Sequence, residues 1–161
     1  MNARDKLLRE VVWQAAQHGH AVMVERSESR DWLRINDAKV QVYATAIRDK
    51  QSDTWLFDKN SLMEDTDHVI LVDRRRPDGD APEHSWKYYI VPAESLRREI
   101  DSEWTVHRGR YKAATGRDKP EHQTGPVGVG LAPVVRAGFG AWSRLKPPEP
   151  ERDVFAEARG W

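Results

Sequence analysis

The sequence predicts an α/β fold: a central mixed β-sheet of about five strands flanked by helices. Three observations carry this. An apolar stripe at helical spacing opens the chain. Alternating and β-branched runs, punctuated by turn residues, follow it to about position 91. A second helix, with Pro92 at its start, comes directly after the last of these runs.

The first helix is expected over Asp5 to His18, where Leu7, Leu8, Val11, Val12, Ala15 and Ala16 form the stripe. Asn2 or Asp5 is suited to cap its start, and Gly19 to end it. Ala21 to Glu25 reads as a strand and Arg26 to Arg30 as a polar connection. Asp31 to Asn36 reads as the next strand. Asn36-Asp37-Ala38-Lys39 is turn chemistry, since Asn and Asp accept unusual backbone angles and bond to their own backbone. Val40 to Ile47 is β-branched and aromatic, hence a strand. Successive side chains alternate between its faces. Val40, Val42, Ala44 and Ala46 make an apolar core face, and Lys39, Gln41, Tyr43 and Thr45 make the other.

A charged loop is expected over Arg48 to Asp53, a strand over Thr54 to Phe57 and a short helical turn over Lys59 to Asp65. His68 to Asp73 is continuously apolar, as for a central strand. Pro77, Asp78-Gly79 and Pro82 mark a loop over Arg74 to Pro82. Lys87 to Val91 reads as the last strand, and Pro92 to about Ile100 as a helix.

The stretch Asp31 to Phe57 resembles the core of the PD-(D/E)XK nuclease-like superfamily, the restriction-endonuclease-like fold. The pattern places an acid at a strand start, then a hairpin, then an acid or Gln, an apolar residue and a Lys. Here it reads Asp31, then Gln41-Val42-Tyr43. The resemblance extends from about Leu7 to Ile100 in element order. It implies a metal site at Asp31 and Gln41, with Glu10 as a helix-borne ligand, and a catalytic set of Asp31, Gln41, Tyr43 and Lys39. The site is vestigial, or reorganised around Lys39. On Glu10 the bland reading, a solvated helix residue, is the stronger.

The departure from the pattern bears on chemistry. In active members the paired acids hold a divalent cation, and the Lys steadies charge on the phosphate. Tyr43 stands at the Lys position and carries no positive charge at neutral pH. Gln41 offers a neutral oxygen to a hard cation in place of an anionic one. Lys39 lies on the same face, about 13 Å of strand behind. The resemblance and its departures together imply a catalytically degenerate nuclease-fold protein. Such a protein would be a nucleic-acid- or protein-binding module, in the setting of a defence system or mobile element, and would need no cofactor. The alternative is a divergent Mg²⁺-dependent DNA endonuclease with a displaced catalytic Lys.

The chain has 161 residues, 32% of them charged, and a formal net charge of zero. Net charge therefore signals no strongly basic nucleic-acid binder. The local exception is Trp104 to Lys119, where Arg108, Arg110, Lys112, Arg117 and Lys119 face a single acid, Asp118. Cations interleaved with Trp104 and Tyr111 suit contact with a phosphate backbone. The competing reading is a solvated loop or strand.

There is no cysteine, which removes disulfides, thiolate metal sites and a cysteine nucleophile. No stretch reads as a signal peptide or a long apolar run, so a soluble cytoplasmic protein without a membrane partner is expected. The six His are scattered, and His18 and His20 alone make poor metal geometry. Gly125 to Gly130 lacks the strand-to-helix setting of a nucleotide loop.

Two regions are expected: an α/β domain over 1–122 and a Gly/Pro-rich apolar extension over 123–161. Within the extension Leu131 to Leu145 is apolar enough to pack on the domain, to cover a protein partner or to self-associate. Lys146 to Pro150 reads as a stiff linker and Asp153 to Trp161 as a short helical end.

Overall fold

The computed structural model describes residues 2–45, 54–58, 60–76, 79–80, 82, 84–120 and 126–146. The charged loop 48–53, Pro77-Asp78, His122, the linker after Lys146 and the C-terminal helical end all lie outside these residues.

Helix α1 spans Ala3–Gln17. The Asn2 side chain caps it, accepting from the Asp5 amide at 2.8 Å. Gly19 follows at φ +80, a conformation that strains any residue with a Cβ. Strands β1 (Val22–Arg26), β2 (Asp31–Ile35) and β3 (Ala38–Ala44) form an antiparallel meander. The hairpin expected around Asn36-Asp37 is present, with Leu33 opposite Val40 and Ile35 opposite Ala38. Asn36 takes φ 53, the left-handed conformation that its short amide side chain tolerates.

The chain then crosses over. Strand β4 (Trp55–Phe57) and a run of turns over 60–65 lie between β3 and β5 (His68–Asp73). Those turns replace the helical turn expected there. Strand β5 pairs with β3 in parallel, and β8 (Lys87–Pro92) pairs with β5 antiparallel. The mixed sheet therefore has five strands in the order β1-β2-β3-β5-β8. A small ribbon, β6 (Arg75–Arg76) with β7 (Gly79–Asp80), sits inside the expected loop.

Helix α2 spans Ala93–Thr115, far beyond Ile100. Its stripe simply continues: Ala93, Leu96, Ile100 and Trp104 are all buried. The Arg, Lys and Ala residues beyond it are good helix formers. Gly116, left-handed at φ 69, supplies the stop. The basic segment is thus largely helical, where a loop or strand was the competing expectation.

Each face of the sheet has its own core. Under α1 lie Leu33, Ile35, Val40, Val42, Ile70 and Val72, the apolar face read from the alternation. Under α2 lie Val69, Leu71 and Val91, together with Trp55 and Phe57 of β4. The C-terminal residues enter both. Strand β9 (Val127–Val129) pairs with β4, and Val127, Val129 and Val135 fill the α2 core. A short helix α3 (Pro133–Arg136) and a 3-10 turn (Trp142–Leu145) follow, and Trp142 and Leu145 fill the α1 core. Of the three roles open to Leu131 to Leu145, packing on the domain is the one these residues perform. No helix among the described residues is long and apolar enough to cross a membrane.

The hairpin turn also clamps this C-terminal segment. The Asn36 amide oxygen accepts from the Ala21 amide at 3.2 Å, and its nitrogen donates to the Leu145 carbonyl and to His20 Nδ1. His20 Nε2, 2.9 Å from the Trp142 carbonyl, donates there, which leaves Nδ1 as the acceptor. Replacement Asn36→Ala should lose about 2–3 kcal/mol, from these bonds and from left-handed strain. Asn36→Gly should lose less, because glycine removes the strain. Urea midpoints at unchanged m-value would measure both; equal losses would mean that the backbone angle contributes nothing.

Candidate functional site

A cleft of about 680 Å³ opens where β2 and β3 meet the crossover. Arg4, Arg30, Asp31, Gln41, Tyr43 and Ser61 are among its walls. It brings together three residues of the expected catalytic set, and their bonding decides what they can do.

Asp31 is in phase with Leu33 and Ile35, on the face that packs against α1. Arg4 in the first turn of α1 grips it with two nitrogens, at 3.1 Å from Nε and 2.5 Å from Nη2. The remaining guanidinium nitrogen donates to the Val42 carbonyl at 2.8 Å. Both nitrogens converge on Oδ1, with Nε also 3.3 Å from Oδ2, so the pair is a charge-assisted hydrogen bond centred on one oxygen. Arg4 was not singled out from sequence. Its signal is faint: a cation in the first turn opposes the helix dipole and so calls for a partner elsewhere.

Gln41 and Tyr43 project from the other face, as the alternation indicated. Both bind the crossover. The Gln41 amide oxygen accepts from the Met63 amide at 2.9 Å and the Thr66 hydroxyl at 2.5 Å. Its nitrogen donates to the Ser61 carbonyl at 3.1 Å. The backbone donor on one side and the carbonyl on the other leave one consistent orientation of the amide. Tyr43 donates its hydroxyl proton to the same Ser61 carbonyl at 2.6 Å. Burial pushes the Tyr43 pKa up, so the proton stays in place. Arg30 Nη1 is the third donor to this oxygen, at 3.3 Å, and its Nη2 reaches the Asn60 carbonyl at 2.5 Å. Ser61 thus collects three side chains on one backbone oxygen.

Lys39 is buried along its stem. Its ammonium sits 2.9 Å from both Asp65 oxygens and 4.2 Å from the Trp32 ring centroid. The Lys39 hydrogen bond holds the Asp65 carboxyl below its usual pKa. Glu10 is buried on α1, about 9 Å along the helix axis from Arg4. Its carboxylate accepts from the His84 amide at 2.9 Å and lies 2.8 Å from His84 Nδ1. It anchors the His84 turn, whose φ of 68 calls for such a tie.

These residues do not fit a divalent cation. The Asp31 carboxylate is engaged by a guanidinium, the Gln41 oxygen already has two donors, and Glu10 serves another part of the molecule. No cluster of three or more His, Asp or Glu placed to hold a metal ion occurs among the described residues.

Helix geometry separates the basic residues. Arg108 and Lys112, one turn apart, share a side of α2, while Arg110 is about 200° round from Arg108. Arg110 borders a shallow recess with His107 and Pro126. Lys112 pairs with Asp118 at 3.5 Å. Lys119 folds back to 2.6 Å from His107 Nε2, over Trp104. Arg108 lies over the same ring, 5.7 Å from its centroid. Arg110 and Arg117 form no ion pair among the described residues.

Against families of known proteins, characterised proteins and solved structures, the chain has no match.

Replacement Gln41→Leu should lose about 2–4 kcal/mol, because it strands the Met63 amide and the Thr66 hydroxyl. Tyr43→Phe should lose only about 1 kcal/mol, because two other donors still reach the Ser61 carbonyl. Equilibrium unfolding would test the ranking. A Gln41→Leu protein as stable as Tyr43→Phe would mean that the amide does not hold the crossover.

Proposed function

We propose that this protein is a catalytically degenerate, nuclease-like α/β domain that binds nucleic acid without cleaving it. One observation carries the reading. Gln41 and Tyr43, at the positions where a nuclease of this pattern needs a metal ligand and a cation, are both bonded to the crossover backbone. Asp31, the remaining acid of the pattern, is neutralised by Arg4. The missing positioned cation alone should cost about 3 kcal/mol of transition-state stabilisation, roughly a hundredfold in rate. Weak metal holding compounds that loss.

Binding draws on different residues. Arg108, Arg110 and Lys112 are exposed on the last turns of α2, and Arg117 and Lys119 follow just past its end. This is a concentration of positive charge on a chain with no net charge. Phosphates displace the weak intramolecular partners of such exposed cations readily, since surface ion pairs contribute little. Counterion release then supplies affinity.

Purified protein incubated with plasmid, single-stranded DNA and RNA should leave all three intact in Mg²⁺ or Mn²⁺. Cleavage by the wild type that vanishes in Asp31→Ala would overturn this reading.

For binding, the double replacement Arg108→Gln, Lys112→Gln, on one side of α2, should weaken affinity. It should also flatten the slope of log affinity against log salt by about 1.5–2. An unchanged slope would remove this end of α2 from the interface.

A further inference from the structure

We propose that the groove between β8 and the segment Leu131 to Phe139 is a stacking site for one nucleotide of a single strand. The base would lie on Phe139 and the phosphate between Lys87 and Arg136. This deepens the reading above by naming the form of nucleic acid and a second point of contact.

The groove encloses about 380 Å³ and is lined by Lys87, Tyr89, Leu131, Arg136 and Phe139. None of the five is acidic. Phe139 is 60% exposed, among the most exposed of the large apolar side chains. Its ring stands 5.4 Å from that of Tyr89, tilted by 54°.

The ring is also held firmly. Phe139 bridges Tyr89 across the open edge of β8. The Ile90 amide donates to the Gly138 carbonyl at 2.8 Å, and the Gly140 amide to the Tyr88 carbonyl at 2.8 Å. A Cβ on Gly138 would fall 2.5 Å from the Ile90 carbonyl oxygen, so the close approach requires glycine there. Arg144 Nη1 adds a bond to that same carbonyl at 2.8 Å. Phe139 is therefore an exposed aromatic on an immobilised backbone, and a ligand that stacks on it pays little ordering entropy.

The charge around the ring selects the ligand. Lys87 is two residues from Tyr89 on the same face of β8. Its cross-strand neighbour Asp73 is bonded to Arg75 at 2.8 Å. Arg136 uses Nε on the Leu131 carbonyl at 2.7 Å. Lys87 also faces the Asp73 carboxylate across the strand pair, so Arg136 is the cation with no ion pair among the described residues. An aromatic platform flanked by two cations complements a flat, uncharged base joined to a phosphate. A duplex offers its phosphates but keeps its bases stacked inside, so the site favours single strands.

The test is fluorescence anisotropy with labelled dT12 and a 12-base-pair duplex, on wild type, Phe139→Leu, Phe139→Trp, Arg136→Gln and the Arg108→Gln, Lys112→Gln double variant. Phe139→Leu keeps apolar bulk and the backbone but loses the ring. It should weaken dT12 binding about tenfold, within the range for one lost base–aromatic stack, and leave duplex binding unchanged. Phe139→Trp should restore it, and Arg136→Gln should weaken dT12 and reduce its salt slope. Equal dT12 affinity for wild type and Phe139→Leu would overturn the stacking site. If the α2 double variant still lost affinity in that case, nucleic-acid binding itself would stand. Wild type that binds neither probe would overturn both.

Discussion

The parallel pairing of β3 with β5 is the constraint from which most of this molecule follows. Antiparallel neighbours can be joined by a tight turn, but parallel neighbours need a crossover that carries the chain back across the sheet. Here the described part of that crossover is short strand and turns. Its backbone groups must be satisfied where they meet the sheet. Gln41 does this, presenting an acceptor to Met63 and Thr66 and a donor to Ser61. The strand in the crossover, β4, has a second need. Three residues cannot stand alone, yet Trp55 and Phe57 bury completely, each worth about 2–3 kcal/mol. Strand β9 supplies the pairing that holds them there. The C-terminal segment is thereby committed to the fold, and its later residues go on to cover the edge of β8 and to fill the α1 core.

The same logic accounts for the ionisable groups. Three of the side chains that a hydrolytic site would recruit are occupied in tertiary ties: Asp31 to Arg4, Lys39 to Asp65, and Glu10 to His84. Their surroundings differ. Glu10 and Lys39 are buried while their partners reach solvent, so each pair delivers a charge from the interior to the surface. Removing a partner from a buried charge destabilises far more than the intact pair contributes. Such ties are hard to dissolve one residue at a time. An acid placed at position 41 would also confront the Ser61 carbonyl with a carboxylate.

How far the sequence reveals this depends on the range of the interaction involved. The β2–β3 hairpin is legible because Asn36-Asp37 and the alternation flanking it are local. Strand β5 is legible because burial on both faces writes a continuous apolar run. Helix α2 was underestimated past Ile100, where charge becomes dense, although Trp104 keeps the period and Gly116 marks the end. Strand β9 has almost no local signal: Val127-Gly128-Val129 becomes a strand because β4 lies beside it. At the cleft, the face that carries Gln41 and Tyr43 was legible from alternation. Their partners Ser61, Met63 and Thr66 were not, since nothing in residues 41 to 43 specifies which backbone they will meet.

The covering of the β8 edge shows how a structural requirement leaves an aromatic residue exposed. An open edge invites pairing with other chains, and proteins commonly block it. Here residues 138–140 do so at a distance only glycine at 138 permits. Antiparallel bridging then dictates the rest. With Gly138 and Gly140 turned to the strand by their backbone bonds, the residue between them pairs with Tyr89, and its side chain must leave on the open side of the groove. The edge's backbone bonds do not involve the side chain at position 139, whose ring packs on Tyr89. The backbone bonds come from Gly138 and Gly140, and the cores are filled by Val135, Trp142 and Leu145. The phenyl ring at 139 lies against Tyr89, with Lys87 and Arg136 beside it.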